Sequence, residues 1–318
     1  MSGMLAVMIP ELTEGQRERI RTAGARHGLE VRFAASPEDS ALREAEILFG
    51  HLPQAAKEST ALKWICTPYA GVDQFLLPGA FANPEAVLSN SSGAYGVTIS
   101  EHTVMVLLEI LRRDPEYRGI VARHEWKRGL AVRAIRGSRI TLLGTGDIGQ
   151  ETAKRLRAFS PAGLTGVNRS GANPDGLFDR ILTKEDWETV LPETDVLIMS
   201  LPGTKEAYHM AGRKQLALLP DGAVIINVGR GTVIDQEALA EELRKGRLFA
   251  GLDVFEQEPL GPEDPVWELP NLLITPHTAG NMTLPHTVER ITELFLEDLE
   301  RWCAGKLPER LVDRDRGY

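Results

Sequence analysis

Cysteine is nearly absent: Cys66 and Cys303 are the only two in 318 residues, with no CxxC or Cys/His spacing that would make a zinc site, so both are expected to serve packing and no metal site is assigned. Basic residues do not dominate either. Thirty-six Lys and Arg against forty-five Asp and Glu leave a formal charge of −9, which disfavours a phosphate-tracking nucleic-acid surface and allows only a small, local basic pocket. No apolar run reaches membrane-spanning length, and Met1 to Pro10 has an apolar stretch without a basic flank. A cytoplasmic protein with no nucleic-acid or membrane partner is therefore the expectation. Internal repeats and low-complexity segments are missing too. What remains, 42% hydrophobic and 25% charged residues, is enough for about two globular domains.

Strand and helix signals alternate along the chain, as βαβ units require. The first stretch reads as strand Leu5 to Met8, helix from about Gly15 to His27, strand Glu30 to Phe33, a helix from about Pro37, then strands near Ile47, Trp64 and Val87. A polar passage from Asn90 to Gly96 leads into Thr98-Ile99-Ser100-Glu101, a capping-box pattern that predicts the start of a long helix with Val104, Leu107, Leu108 and Leu111 on one face. The second half carries six apolar, strand-like runs, before Gly144, Asn168, Pro202, Arg230, Asp253 and His277. In open α/β sheets ligands collect outside the carboxyl ends of the strands, so these positions are where a site is sought.

The first run opens on Gly144-Thr145-Gly146-Asp147-Ile148-Gly149 and a helix through Ala153, Leu156 and Phe159. That context makes GxGxxG a dinucleotide fingerprint: Gly144 for the tight turn, Gly146 to clear the pyrophosphate, Gly149 for close helix-strand packing. A whole α/β unit precedes it, which implies a separate substrate domain. The next run ends in Asn168-Arg169-Ser170, where NAD sites usually offer Asp or Glu to the ribose. Arg169 can pair with a 2′-phosphate and Asn168 and Ser170 add neutral donors, so NADP is expected ahead of NAD. The competing reading is a solvated arginine beside an unselective ribose site.

Arg230 lies between Gly229 and Gly231, which are expected to let a ligand approach the backbone while the guanidinium binds carboxylate and carbonyl oxygens together. Glu258 and His277 follow the next two runs. An imidazole with an ordinary pKa of about 6.5 suits proton exchange with a hydroxyl, and a carboxylate partner would keep it protonated and oriented.

At these residues the chain resembles the D-isomer-specific 2-hydroxyacid dehydrogenases. The matching text is GTGDIGQ from Gly144, SLPGTKEAYHM from Ser200, NVGRGTVIDQEAL from Asn227, GLDVFEQEPL from Gly251 and TPHTAG from Thr275, with PYAGVDQF from Pro68 and TISEHTVMVLLEILRR from Thr98 earlier. The resemblance implies His277 as acid/base, Glu258 as its carboxylate partner and Arg230 as substrate anchor. It further implies that backbone amides of Ala70, Gly71 and Val72 hold the substrate carboxylate, that Asp253 meets the nicotinamide carboxamide, and that Leu201, Pro202, Val228 and Thr98 line the cofactor. For Asp253 a turn cap is the competing role, and for Pro202 a strand terminator. Two departures stand out: Phe159 to Gly163 is unlike the family's short glycine turn, and Asn168 replaces the acid of NAD-using members, as in NADPH-preferring reductases of glyoxylate and hydroxypyruvate.

The expected architecture is α/β: two Rossmann-like or flavodoxin-like domains with parallel sheets and an interdomain cleft, 97–281 binding the dinucleotide and 1–96 plus 282–318 forming a discontinuous substrate domain. The C-terminal helix starts near Leu284, with Ile291, Leu294, Phe295 and Leu299 on its apolar face. By resemblance a homodimer forms through the long helix and the arm Asp114 to Gly129. The expected reaction is reduction of a small 2-oxo acid, with Tyr69, Tyr95, His51 and Leu284-Pro285-His286 as candidate pocket walls. A non-catalytic dinucleotide sensor and a phosphoglycerate-type dehydrogenase stay open as alternatives, while Glu258 argues against a formate-type enzyme, in which glutamine takes its place.

Overall fold

The computed structural model describes residues 3–173 and 175–318, which fall into two compact units, Met1–Tyr95 with Met282–Tyr318, and Gly96–Asn281. In the first unit β1 (Met4–Met8), β2 (Glu30–Phe33), β3 (Ile47–Gly50), β4 (Trp64–Cys66) and β5 (Val87–Ser89) form a parallel sheet in the order β2-β1-β3-β4-β5. Strands β3 and β4 are buried at every position, the pattern of a parallel sheet covered on both faces. Helix α1 (Glu14–Arg26) starts from a capping box in which Thr13 Oγ1 accepts from the Gln16 amide and Gln16 Oε1 accepts from the Thr13 amide. The helix expected from Pro37 is only the short α2 (Ala41–Glu44): Ser36 to Ser40 turn instead, with Asp39 Oδ1 accepting from the Ala41 amide. Ser, Pro and Asp compete with helix there by favouring local turns. Helix α3 (Pro53–Glu58) follows.

The second unit opens with α4 (Gly96–Arg112) and α5 (Asp114–Ala122), and its helices α6 (Asp147–Arg157), α7 (Arg213–Leu218) and α8 (Gln236–Arg244) alternate with strands. The capping box expected at Thr98 is not the helix start. Helix α4 begins two residues earlier, where a Cβ on Gly96 would lie 2.5 Å from Asp147 Oδ1, and Glu101 pairs instead with Arg155 of α6. Strands β6 (Arg139–Leu143), β7 (Gly163–Val167), β8 (Arg180–Leu182), β9 (Val196–Met199), β10 (Val224–Asn227), β11 (Phe249–Leu252) and β12 (Leu272–Ile274) pair in parallel in the order β12-β11-β10-β9-β6-β7-β8. Strand β8 has no counterpart among the expected strands: it is a three-residue edge strand carrying an exposed arginine and too short to show a period. Helix α6 stops at Arg157, so Phe159 lies beyond it, partly exposed.

Helix α9 (Pro285–Cys303) belongs to the first unit, with Pro285 in its first turn. Its buried Phe295 stacks on Phe49 of β3 at 3.8 Å between ring centroids, and Glu289 accepts from Gln16 of α1. Among the described residues no helix is long and apolar enough to cross a membrane, and no group of His, Cys, Asp and Glu is arranged to hold a metal.

Candidate active site

Because all seven strands of the larger sheet run parallel, their carboxyl ends share one edge. In sheet order that edge carries His277 after β12, Asp253 and then Glu258 after β11, Arg230 after β10, Pro202 after β9, Gly144 after β6 and Asn168 after β7. Titratable side chains gather at one end and glycine-shaped backbone at the other.

At the backbone end, Gly144 has φ 98°, a conformation that glycine adopts without cost. A Cβ on Gly149 would collide with the Gly144 carbonyl, whereas one on Gly146, the N-cap of α6, would meet nothing within 4 Å. The turn is therefore tight beneath and open above the α6 N-terminus, and these residues fit a dinucleotide pyrophosphate. Thr145 and Ile148 are half-buried, and the Asp147 carboxylate is beside Gly96. Asn168 is committed inside its loop: Nδ2 donates to Thr145 Oγ1 at 2.7 Å and to the Ala172 carbonyl at 2.9 Å, and Oδ1 accepts from the Gly171 amide at 2.7 Å. Both of its side-chain hydrogens are spent, so Asn168 shapes the ribose turn instead of offering the donor expected of it. Arg169 and Ser170 are exposed on that turn.

The glycines around Arg230 also have a different reason from the one expected. A Cβ on Gly229 would lie 2.5 Å from the Leu201 carbonyl oxygen, and one on Gly231 would collide with the backbone of Phe255. They admit neighbouring loops of the protein, not a ligand. Buried Asn227 closes the turn, donating to the Arg230 carbonyl at 2.9 Å and accepting from the Gly229 amide at 3.1 Å. The half-buried Arg230 guanidinium donates to the Gly229 carbonyl at 2.8 Å. Val228 is buried, Leu201 packs against the core, Pro202 is exposed just past β9, and Thr98 is half-buried in the first turn of α4.

At the other end, Glu258 Oε2 lies 2.6 Å from His277 Nδ1 and Glu258 Oε1 accepts from the Phe255 amide at 2.8 Å. A carboxylate only accepts, so Nδ1 carries the hydrogen and Nε2 is the nitrogen that gains or loses a proton. The imidazole is half exposed, within reach of a substrate. His277 has φ 53°, the left-handed region, which costs a non-glycine residue roughly 1–2 kcal/mol. Asp253, 3% exposed, supports that turn: Oδ1 accepts from Thr275 Oγ1 at 2.6 Å and the Thr278 amide at 2.8 Å, Oδ2 accepts from the Ala279 amide at 3.0 Å, and its carbonyl accepts from the His277 amide. The turn-cap role weighed for Asp253 is thus present. Above it, His102 of α4 places Nε2 3.1 Å from Thr275 Oγ1, and burial pushes its imidazole below the ordinary pKa while Asp253 opposes that shift. Asn227, Thr275 and His102 carry no expected role in the sequence. Their one signal is polar residues set among apolar ones, His102 standing three after Ile99 and four before Val106 on the buried face of α4.

In the first unit the Thr67 to Ala70 loop is fastened by its carbonyls. Ser91 Oγ donates to Thr67, Tyr95 Oη to Pro68, the Ser91 amide to Tyr69 and Asn90 Nδ2 to Ala70. Burial pushes the Tyr95 phenol well above its ordinary pKa, so it stays a donor. His51, its pKa lowered by burial, sits edge-on to Tyr69 and reaches Thr67 Oγ1 at 3.2 Å. Ala70 and Gly71 are half-buried and Val72 buried.

The model of the D-isomer specific 2-hydroxyacid dehydrogenase NAD binding domain matches residues 104–279, more than half of the chain. The chain belongs to this family. Like other family members it is an NAD(P)-dependent oxidoreductase with a Rossmann-like nucleotide domain. It is 33% identical over 283 residues to glyoxylate/hydroxypyruvate reductase B of Pectobacterium atrosepticum, covering 86% of this chain and 87% of that one. It is 28% identical to a D-3-phosphoglycerate dehydrogenase of Archaeoglobus fulgidus, covering 93% of this chain but 55% of that protein. Among solved structures, the NADPH-dependent glyoxylate/hydroxypyruvate reductase of Sinorhizobium meliloti in complex with NADP and sulfate has a TM-score of 0.80 and 28% identity, with 100% of each chain covered.

Proposed function

We propose that the protein reduces a small 2-oxo acid of the glyoxylate or hydroxypyruvate kind to the D-2-hydroxy acid, with NADPH preferred to NADH. The observation that carries this reading is the 2.6 Å contact of Glu258 with His277, one strand from Arg230 on the edge that also holds the dinucleotide turn. When bound, the reduced nicotinamide supplies the hydride for C2. His277 Nε2 donates the proton to the oxygen of the former carbonyl, and Glu258 stabilises the imidazolium before transfer. Arg230 holds carboxylate and carbonyl oxygens, orienting C2 and neutralising developing charge. The amides of Ala70, Gly71 and Val72, on a loop whose carbonyls are already engaged, are assigned to the substrate carboxylate.

Gly144 to Gly149 are assigned to the pyrophosphate, Leu201, Pro202, Val228 and Thr98 to the cofactor's walls, and Arg169 with Ser170 to a 2′-phosphate. The remaining acceptor direction of Asp253 Oδ2 is assigned to the nicotinamide carboxamide. A homodimer fits the exposed apolar side chains Val121, Trp126 and Val132 in and after α5.

Initial rates of NADPH and NADH oxidation by the purified protein, taken against glyoxylate, hydroxypyruvate, pyruvate and 3-phosphohydroxypyruvate, test the proposal. NADPH-dependent turnover of an unphosphorylated acid is expected. Turnover confined to 3-phosphohydroxypyruvate, or cofactor binding with no turnover of any acid, overturns it.

A further inference from the structure

Helix α4 crosses β11 where Gly251 lacks a side chain: a Cβ there would collide with Val106 of the helix. That close approach lowers His102, one turn before Val106, onto the carboxyl end of the sheet. Its side chain is 13% exposed. The hydrogen bonds beyond it have a fixed direction. The hydroxyl of Thr275 has one hydrogen, and at 2.6 Å from Asp253 Oδ1, an acceptor only, that hydrogen goes to the carboxylate. Thr275 Oγ1 is left to accept, so His102 must donate to it from Nε2–H. The direct distance from His102 Nε2 to Asp253 Oδ1, 3.9 Å, is too long for a hydrogen bond, so the hydrogen-bonded link between them runs through the threonine.

The chain His102 Nε2–H to Thr275 O–H to Asp253 ends on the carboxylate that gathers the amides of Thr278 and Ala279, and Asp253's carbonyl takes the His277 amide. Those bonds span the turn in which His277 has its left-handed backbone and places Nδ1 on Glu258. We infer that His102 is a positioning residue: as an obligatory donor to Thr275 it keeps Asp253 turned toward the 275–279 turn and so sets the His277 imidazole on Glu258. The inference rests on the reading of His277 as the proton donor only for its kinetic consequence. The geometric consequence stands apart from it.

The test compares His102→Leu, His102→Gln and Thr275→Val in the full chain. Glutamine keeps an N–H donor near the position of Nε2, and leucine keeps bulk without it. The inference expects kcat to fall about 10- to 100-fold in His102→Leu and in Thr275→Val, with KM for the 2-oxo acid within about threefold, because orientation and not binding is lost. His102→Gln should recover to within about fivefold of wild type, and the His102→Leu/Thr275→Val double variant should be no worse than the weaker single one, since both cut one chain. The imidazole ¹⁵N shifts of His277 give a second readout: the Nδ1–H tautomer should lose population in His102→Leu and keep it in His102→Gln. Equal losses in leucine and glutamine variants, or strict additivity in the double, would reduce His102 to packing and overturn the inference. If the wild type turns over no 2-oxo acid, the function proposed above fails while the ¹⁵N comparison still decides this one: a tautomer shift confined to His102→Leu supports it, and unchanged spectra in both variants overturn it. Should His102→Leu not fold, Thr275→Val carries the same two readouts.

Discussion

The two ends of the strand edge in the larger unit are built by different means. At the β12, β11 and β10 end the working groups are side chains, and each is fixed by a second side chain: Glu258 on His277, Asp253 under the His277 turn, Asn227 under Arg230. At the β6 end the working surface is backbone, and what matters is which side chains are missing, Gly144 for its φ, Gly146 for open space and Gly149 for contact. The contrast matches the role proposed for each end. Proton transfer needs one atom at one angle, which takes a supported side chain, while a pyrophosphate is a diffuse anion met adequately by several amides and a helix terminus. The chemical end should therefore fail sharply on single substitutions, and the cofactor end should respond by degrees.

The sharpest break is expected from His277→Ala. Loss of the proton donor should lower kcat by about 10³-fold or more, with NADPH affinity by fluorescence titration within about twofold of wild type. A variant that kept a tenth of the activity would remove the division between the ends. Next comes Glu258→Gln, which keeps volume and one acceptor but loses the charge that stabilises imidazolium, with kcat expected to fall on the order of 10²-fold at unchanged KM. A rise in KM alone would mean that Glu258 serves binding. At the other end, Arg169→Asp should lower the NADPH to NADH ratio of kcat/KM by about 10- to 100-fold, through both the lost guanidinium and the added repulsion, while kcat with saturating NADPH changes little. An unchanged ratio would leave the 2′-phosphate without its assigned partner.

How much of this could be seen in the sequence divides along the same line. The glycine set and the trio Arg230, Glu258 and His277 are residue types whose chemistry is the same wherever they stand, so their spacing after apolar runs makes them legible as candidates. The supports were not. Gly229 and Gly231 look like ligand clearance in one dimension, and only packing of the Leu201 and Phe255 backbones against them reveals the real neighbour. Thr98 and Glu101 satisfy a capping-box pattern, yet the close approach of Gly96 to Asp147 starts the helix earlier and Glu101 is spent on Arg155. His102 and Thr275 sit more than 170 positions apart, and no local rule joins a histidine on one helix to a hydroxyl past another strand. Periodicity is a property of neighbours in the chain, and positioning is a property of neighbours in space.

The gentlest prediction probes the residue that the structure moved from one role to another. If Asn168 were a direct donor to the 2′-phosphate, Asn168→Asp would act like Arg169→Asp and lower the NADPH preference. Its Nδ2 hydrogens are instead on Thr145 Oγ1 and the Ala172 carbonyl, 2.7 and 2.9 Å away. An aspartate there would set a carboxylate oxygen against the Ala172 carbonyl, while the other oxygen could still accept from the Gly171 amide as Oδ1 does now. The Thr145 hydroxyl can turn to donate to the new carboxylate but the Ala172 bond is lost, so the turn should loosen without a new contact to either cofactor, and KM should rise about three- to tenfold for NADPH and NADH together, the cost of that one bond, with their ratio nearly constant. A common rise keeps Asn168 as the brace of the turn that presents Arg169. A selective loss of NADPH would return it to the phosphate.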